Sequence, residues 1–144
     1  MKTLLHASRR RRTPFQREQQ GAAQVEFALS IFTILLVVFM LFELCSCVYT
    51  YVVLSEAANE GVRYASVRDG VDTNLASDTQ TQVLNYAANS MHNTKGMAVT
   101  VTLTTDEAPT QLVTVQVTYP YVPFTTFMTN PPTMHAYAQG KLIY

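Results

Sequence analysis

Sixteen consecutive residues between Glu26 and Glu43, FALSIFTILLVVFMLF, carry no charge, and neither does the run LCSCVYTYVVL after Glu43. Apolar side chains hold nearly every position, so no single face stands out. As a helix, sixteen residues at about 1.5 Å each reach about 24 Å, short of a hydrocarbon core of ~30 Å. Extension past Glu43 to Leu54 makes the segment long enough. A helix in lipid satisfies its own backbone hydrogen bonds and a lone strand cannot. The pattern predicts one transmembrane helix over 22–54.

Beyond it, SEAANEGVRYASV continues the helix: it is proline-free and alanine-rich, and it sets Ala57, Gly61 and Ala65 on one face. Glu60 and Arg63 are spaced to pair at i, i+3. An end is expected near Arg68, before the Asp69-Gly70 turn signal. A second helix follows, with Ser77 as N-cap and Gln80 as the capping-box partner. Its expected apolar face is Val83, Leu84, Tyr86, Ala87 and Met91, and Lys95-Gly96 is its expected stop. Period-two alternation then appears in Ala98–Thr104 and in Leu112–Tyr119, separated by a turn over Asp106–Thr110. A proline-rich loop, Pro120–Pro132, leads to a weaker strand around Met134–Ile143. The expected fold is α+β: a long N-terminal transmembrane helix continues into a small exported domain. In that domain a second helix lies on a three-stranded antiparallel sheet. The division is 1–21, a basic cytoplasmic leader without regular structure up to Gln20; 22–54, the membrane helix; and 55–144, the exported domain.

Charge sets the orientation. The whole chain balances ten basic against ten acidic residues, but up to Gln20 there are six basic residues and only Glu18 acidic. Arg9, Arg10, Arg11 and Arg12 lie within the ~15–20 residues that weigh most in topology, so the N-terminus is expected to stay in the cytoplasm. Four adjacent arginines also make a field suited to nucleic acid or anionic lipid. With an apolar span so close, topology control is the better reading, and no nucleic-acid partner is expected. Two cysteines are too few for a disulfide-stapled miniprotein or a four-thiolate zinc module.

Gly21-Ala22-Ala23-Gln24-Val25-Glu26-Phe27 stands at the membrane boundary. A carboxylate costs about 2.5–3.5 kcal/mol at a membrane helix centre on insertion scales, less near the surface. With a basic leader before it and an apolar helix after it, this segment resembles the start of prepilin-like proteins. Their leader is cut after a glycine, and their fifth mature residue is glutamate. The resemblance matches Gly21 and Ala22 to the processing site and gives Glu26, with Phe27 beside it, a role in assembly and register. A freed α-amino group on Ala22 could neutralise Glu26 of this chain or of a neighbour. More closely, GAAQVEFAL, then LFEL, then VYTYVVLSEAANEGVRYASV with its ending Gly61-Val62-Arg63-Tyr64-Ala65, resemble the TadE-like family, minor pseudopilins of Flp (tight adherence) pili. MHAYAQGKLIY is similar to that family's last strand. The resemblance implies assembly or anchoring of an adhesive pilus in the bacterial inner membrane. The implied partners are a prepilin peptidase, other pilins or pseudopilins and pilus assembly proteins.

Other residues keep alternatives open. Glu43 reads either as an interfacial carboxylate at the far membrane face or as an intramembrane group binding a cation or a partner helix. The Ala57/Gly61/Ala65 ridge, with Arg63 and Tyr64 beside it, packs either on this chain's own sheet or on a partner helix. Cys45 and Cys47 face about 200° apart on a helix and cannot bridge each other. A disulfide between subunits, or lipidation at Cys47 within Leu44-Cys45-Ser46-Cys47, stays open. The Pro120–Pro132 loop is the most exposed candidate surface. His6, His92 and His135 have no neighbour at ligand spacing, and no nucleophile elbow, phosphate loop or H-E-x-x-H occurs. No catalytic activity, cofactor, metal or small-molecule substrate is expected. The alternative function is an uncleaved single-pass scaffold subunit of a secretion complex.

Overall fold

The computed structural model describes residues 14–68, 73–105, 111–125 and 130–142. The arginine cluster Arg9–Arg12, His6, the Asp69-Gly70 turn, the Asp106–Thr110 turn and Ile143 lie outside them. Among the described residues there are two helices and three strands: α1 (Pro14–Ser66), α2 (Leu75–Ser90), β1 (Ala98–Thr105), β2 (Gln111–Pro120) and β3 (Thr133–Leu142). The arrangement is α+β, as the sequence pattern predicts.

Helix α1 starts seven residues before Gly21, which corrects the expectation of an unstructured tail up to Gln20. Proline suits a first helical position, where its fixed φ is already helical and its missing N–H would have no partner anyway. The Gln16–Gln20 stretch that follows contains good helix formers. At its other end α1 stops at Ser66, two residues before the expected Arg68, and the Arg68 N–H donates to the Ala65 carbonyl at 3.2 Å.

The chain divides into two compact units, Met1–Met40 and Leu41–Tyr144. In the first, every side chain from Gly21 to Met40 is exposed. The hydroxyls of its described residues turn back on the helix: Ser30 Oγ donates to the Glu26 carbonyl at 2.8 Å and Thr33 Oγ1 to the Leu29 carbonyl at 2.9 Å. Such back-bonding leaves no hydroxyl unsatisfied in an apolar surround.

The second unit holds the rest of α1, α2 and the sheet. Its strands run in the order β1-β2-β3, antiparallel throughout, with Val101 opposite Val115 and Val115 opposite Ala138. Alternation works as expected: Val113, Val115, Val117 and Tyr119 of β2 are buried, as are Met134, Ala136 and Ala138 of β3. The opposite face, with Thr100, Gln116, His135 and Tyr137, is exposed. Leu54, Ala57, Ala58 and Ala65 of α1 and Leu75, Val83 and Ala87 of α2 complete the core.

Close approach of α1 to the sheet depends on glycine. A Cβ on Gly61 would stand 2.5 Å from Val83 Cγ2 and 3.3 Å from Val115 Cγ1, and one on Gly140 would collide with Val62. Helix α2 departs from expectation in three ways. Its N-cap is Asn74, with Ser77 in the first turn donating from Oγ to the Asn74 carbonyl at 2.9 Å. Burial of Leu75 draws the helix start forward, and Asn74 takes the cap position without a side-chain capping hydrogen bond. The buried stripe is Leu75, Thr79, Val83 and Ala87, a strict i, i+4 row that leaves Leu84 38% exposed. The helix ends at Ser90 because Met91 is extended. Lys95-Gly96 instead forms the turn into β1, with Gly96 at φ +82° and the Met97 N–H donating to the Thr94 carbonyl at 3.1 Å.

Candidate functional site

The residues singled out by sequence fall in three places. Gly21, Ala22, Glu26 and Phe27 lie within the first unit, on α1. All four are exposed, Phe27 at 67%, and α1 is helical through the Gly21–Ala22 bond. No described residue hydrogen-bonds the Glu26 carboxylate, which leaves it free to meet a cation from elsewhere.

In the second unit, the motif Gly61-Val62-Arg63-Tyr64-Ala65 divides between two sides of α1. Ala57, Gly61 and Ala65 are buried against this chain's own core, Gly61 beside Val83 and Val115. Arg63 points outward, and its Nε and Nη2 donate to the two oxygens of Glu60 at 2.9 and 2.8 Å. An exposed pair of this kind contributes little to stability and holds the side chain in place. Just past the end of α1, the Arg68 guanidinium stands 4.4 Å from the Tyr64 ring centroid and 3.3 Å from Asp78 Oδ2. This stack and pair tie the end of α1 to the start of α2.

Glu43 makes the richest set of contacts. Tyr121 Oη donates to its Oε1 at 2.8 Å, and the Phe124 N–H to the same oxygen at 3.2 Å. Thr125 donates twice to Oε2, from its N–H and from Oγ1, each at 3.0 Å. The loop reaches the carboxylate because Pro120 ends β2 and the Tyr121 N–H donates to the Pro132 carbonyl at 3.2 Å, closing the loop's base. The intramembrane reading gave Glu43 a cation or a partner helix and the interfacial reading gave it no partner; the partner found is this chain's own loop. Tyr121 is only 3% exposed, so the Pro120–Pro132 loop is docked at its start rather than exposed throughout. Burial pushes the Tyr121 phenol well above the usual tyrosine range, and the hydrogen bond to Glu43 and its charge push it further.

Two more phenols fasten neighbouring elements. Tyr49 Oη donates to the Ser90 carbonyl at 2.9 Å and Tyr119 Oη to the Asn93 carbonyl at 2.9 Å. Between α1, the end of α2 and the loop lies an open groove of about 620 Å³, lined among others by Phe42, Tyr49, Met91, Tyr121 and Phe124. Cys45 on its wall is exposed, and Cys47 is partly buried against the core; both are free thiols. Among the described residues no group of three His, Cys, Asp or Glu is placed to hold a metal. His135 Nδ1 lies 3.2 Å from Thr118 Oγ1 on the sheet.

Tyr121, Phe124 and Thr125 escaped the sequence reading. They lie about eighty positions from Glu43, and an aromatic beside prolines was the only local signal.

One helix long and apolar enough to cross a bilayer, joined to a small α+β unit, is consistent with a single-pass membrane protein. Within that class the chain is TadE-like over residues 21–63, where the family model described as TadE-like protein matches it. The match covers a little under a third of the chain and suggests a Tad pilus-associated protein. No curated protein and no solved structure matches the chain.

Proposed function

We propose that this protein is a minor pseudopilin that helps assemble or anchor Flp-type (tight adherence) pili, its leader removed after Gly21 by a prepilin peptidase. The observation that carries the reading is the TadE-like match, which begins at Gly21 itself. The protein sits in the bacterial inner membrane by one helix, with its N-terminus in the cytoplasm and its C-terminal unit exported. Its work is structural rather than catalytic.

Glycine is the weakest ordinary residue in a helix interior, by about 1 kcal/mol relative to alanine, so the Gly21–Ala22 bond is a point where α1 can open to a peptidase. Cleavage frees an α-amino group on Ala22, mostly protonated at neutral pH. That cation meets the exposed Glu26 of the same or an adjacent subunit and removes much of the cost of placing a carboxylate in lipid. Phe27 packs beside the pair, and the pairing sets the register between neighbouring helices.

Sequencing the N-terminus and measuring the intact mass of protein from its native membrane tests this. The expected mature chain starts at Ala22. Retention of Met1, or loss of the initiator alone, would refute processing and leave an uncleaved scaffold of a secretion complex. A chain starting at a lipid-modified Cys47 would identify a lipoprotein instead.

A further inference from the structure

We propose that the loop Tyr121–Thr125 is a lipid-contacting element that rests on the outer interface of the phospholipid bilayer crossed by α1, with Phe124 and Val122 entering the interfacial layer. The inference rests on the single-pass reading of α1 and concerns surface outside that span.

Exposure is the first ground. Phe124 is 80% and Val122 57% exposed, and both line the same groove as Phe42, itself 64% exposed. Large apolar groups gathered at one site and open to water call for a cover. Phe42 says which cover, because with Leu41 it closes the uncharged run before Glu43. The patch on the loop therefore adjoins, along α1, the residues that face lipid.

Length is the second ground. From Gly21 through Phe42 an α-helix rises about 33 Å, close to the ~30 Å of a hydrocarbon core. On this count, which ends the span short of the 22–54 expected from the apolar pattern, the far edge of the core falls at Glu43, where the loop is fastened. An unpaired carboxylate at that edge would be costly. Here both oxygens are occupied by four donors from the loop, so the tether itself fits the boundary. Tyr49, an exposed apolar ring with a polar tip beside the groove, has the character of side chains that settle at headgroup level. Among the described residues no lysine or arginine lines the groove, so the surface is suited to zwitterionic lipid and needs no anionic headgroup.

The chain contains no tryptophan, so single replacements report on their own positions. Phe124→Trp, Tyr137→Trp on the exposed sheet face, and Phe32→Trp in the apolar run are each made in the full chain and reconstituted into phosphatidylcholine vesicles. Phosphatidylcholine brominated at shallow or deep acyl positions serves as the lipid quencher, and iodide as the aqueous one. Phe124→Trp is expected to emit to the blue of Tyr137→Trp and to lose several-fold more emission to shallow bromines than Tyr137→Trp does. Phe32→Trp should be quenched best by deep bromines. Should the position-124 probe behave like the position-137 probe while position 32 is deep, the lipid contact is wrong and the membrane helix stands. If position 32 is not reached by bromine, the single-pass reading fails and the proposal with it. A position-124 probe shielded from iodide yet unquenched by lipid would place a protein partner there and equally overturn the proposal.

Discussion

A single carboxylate, Glu43, accepts four hydrogen bonds from a loop whose nearest donor is 78 positions away. Removing it leaves the Tyr121 and Thr125 hydroxyls and the Phe124 and Thr125 N–H groups without this acceptor. The site is only partly buried and water can replace some of the loss, so Glu43→Ala is expected to cost about 2 kcal/mol. Glu43→Gln, which keeps one oxygen, should cost less. Thermal unfolding of the full chain in detergent micelles measures both, and equal effects would show that the retained amide oxygen contributes nothing and that the stabilisation belongs to the charged carboxylate. Tyr121 adds a pH dependence of defined sign. Its folded-state pKa is raised, so the folded protein holds the phenolic proton more tightly than the unfolded chain. The stability this contributes is fully present below the ordinary tyrosine value of ~10 and is lost as pH rises through the higher folded value. Tyr121→Phe should flatten the alkaline fall, and an unchanged slope would assign it to other groups.

At the scale of elements, small residues let α1 lie close to the sheet. Gly61→Ala forces a methyl against Val83 and Val115 and should destabilise by about 1–3 kcal/mol, offset in part by alanine's better helix propensity. Gly61→Leu is expected to prevent folding of the Leu41–Tyr144 unit, read as rapid proteolysis of its strands. Leu84→Gln, by contrast, changes a residue 38% exposed and should stay within about 0.5 kcal/mol of wild type. Much at this scale was legible. Alternating Val99/Val101 and Val113/Val115/Val117 pointed to the paired strands because a strand's faces alternate whatever packs on them. The cap of α2 was not legible, since Asn74 holds the position without a side-chain capping hydrogen bond and Ser77 looked the better cap. Burial of Leu75, a tertiary matter, decided between them.

For the whole molecule, orientation is the property most open to test. Arg9–Arg12 precede the apolar run by fewer than twenty residues, and replacing all four by glutamine should raise the fraction inserted with the wrong orientation. Protease added to intact spheroplasts reads this directly: the wild-type C-terminal unit should be digested, and a growing share of the variant protected. Equal digestion of both would assign topology control elsewhere.

The apolar run, the basic flank and the period-two strands were all readable from the chain, because each depends on spacing between near neighbours and on the solvent that will surround them. The TadE-like motif was readable for the same reason, its parts lying in one continuous stretch of helix. Which side of that helix does what was not readable. In an unbroken apolar or alanine-rich stretch, burial is assigned by what arrives from elsewhere. Gly61 turned inward because Val83 and Val115 met it, and Glu43 became an anchor because the end of β2 delivered Tyr121 and Thr125 to it. Such contacts join residues dozens of positions apart, and only the folded chain brings them within hydrogen-bonding distance.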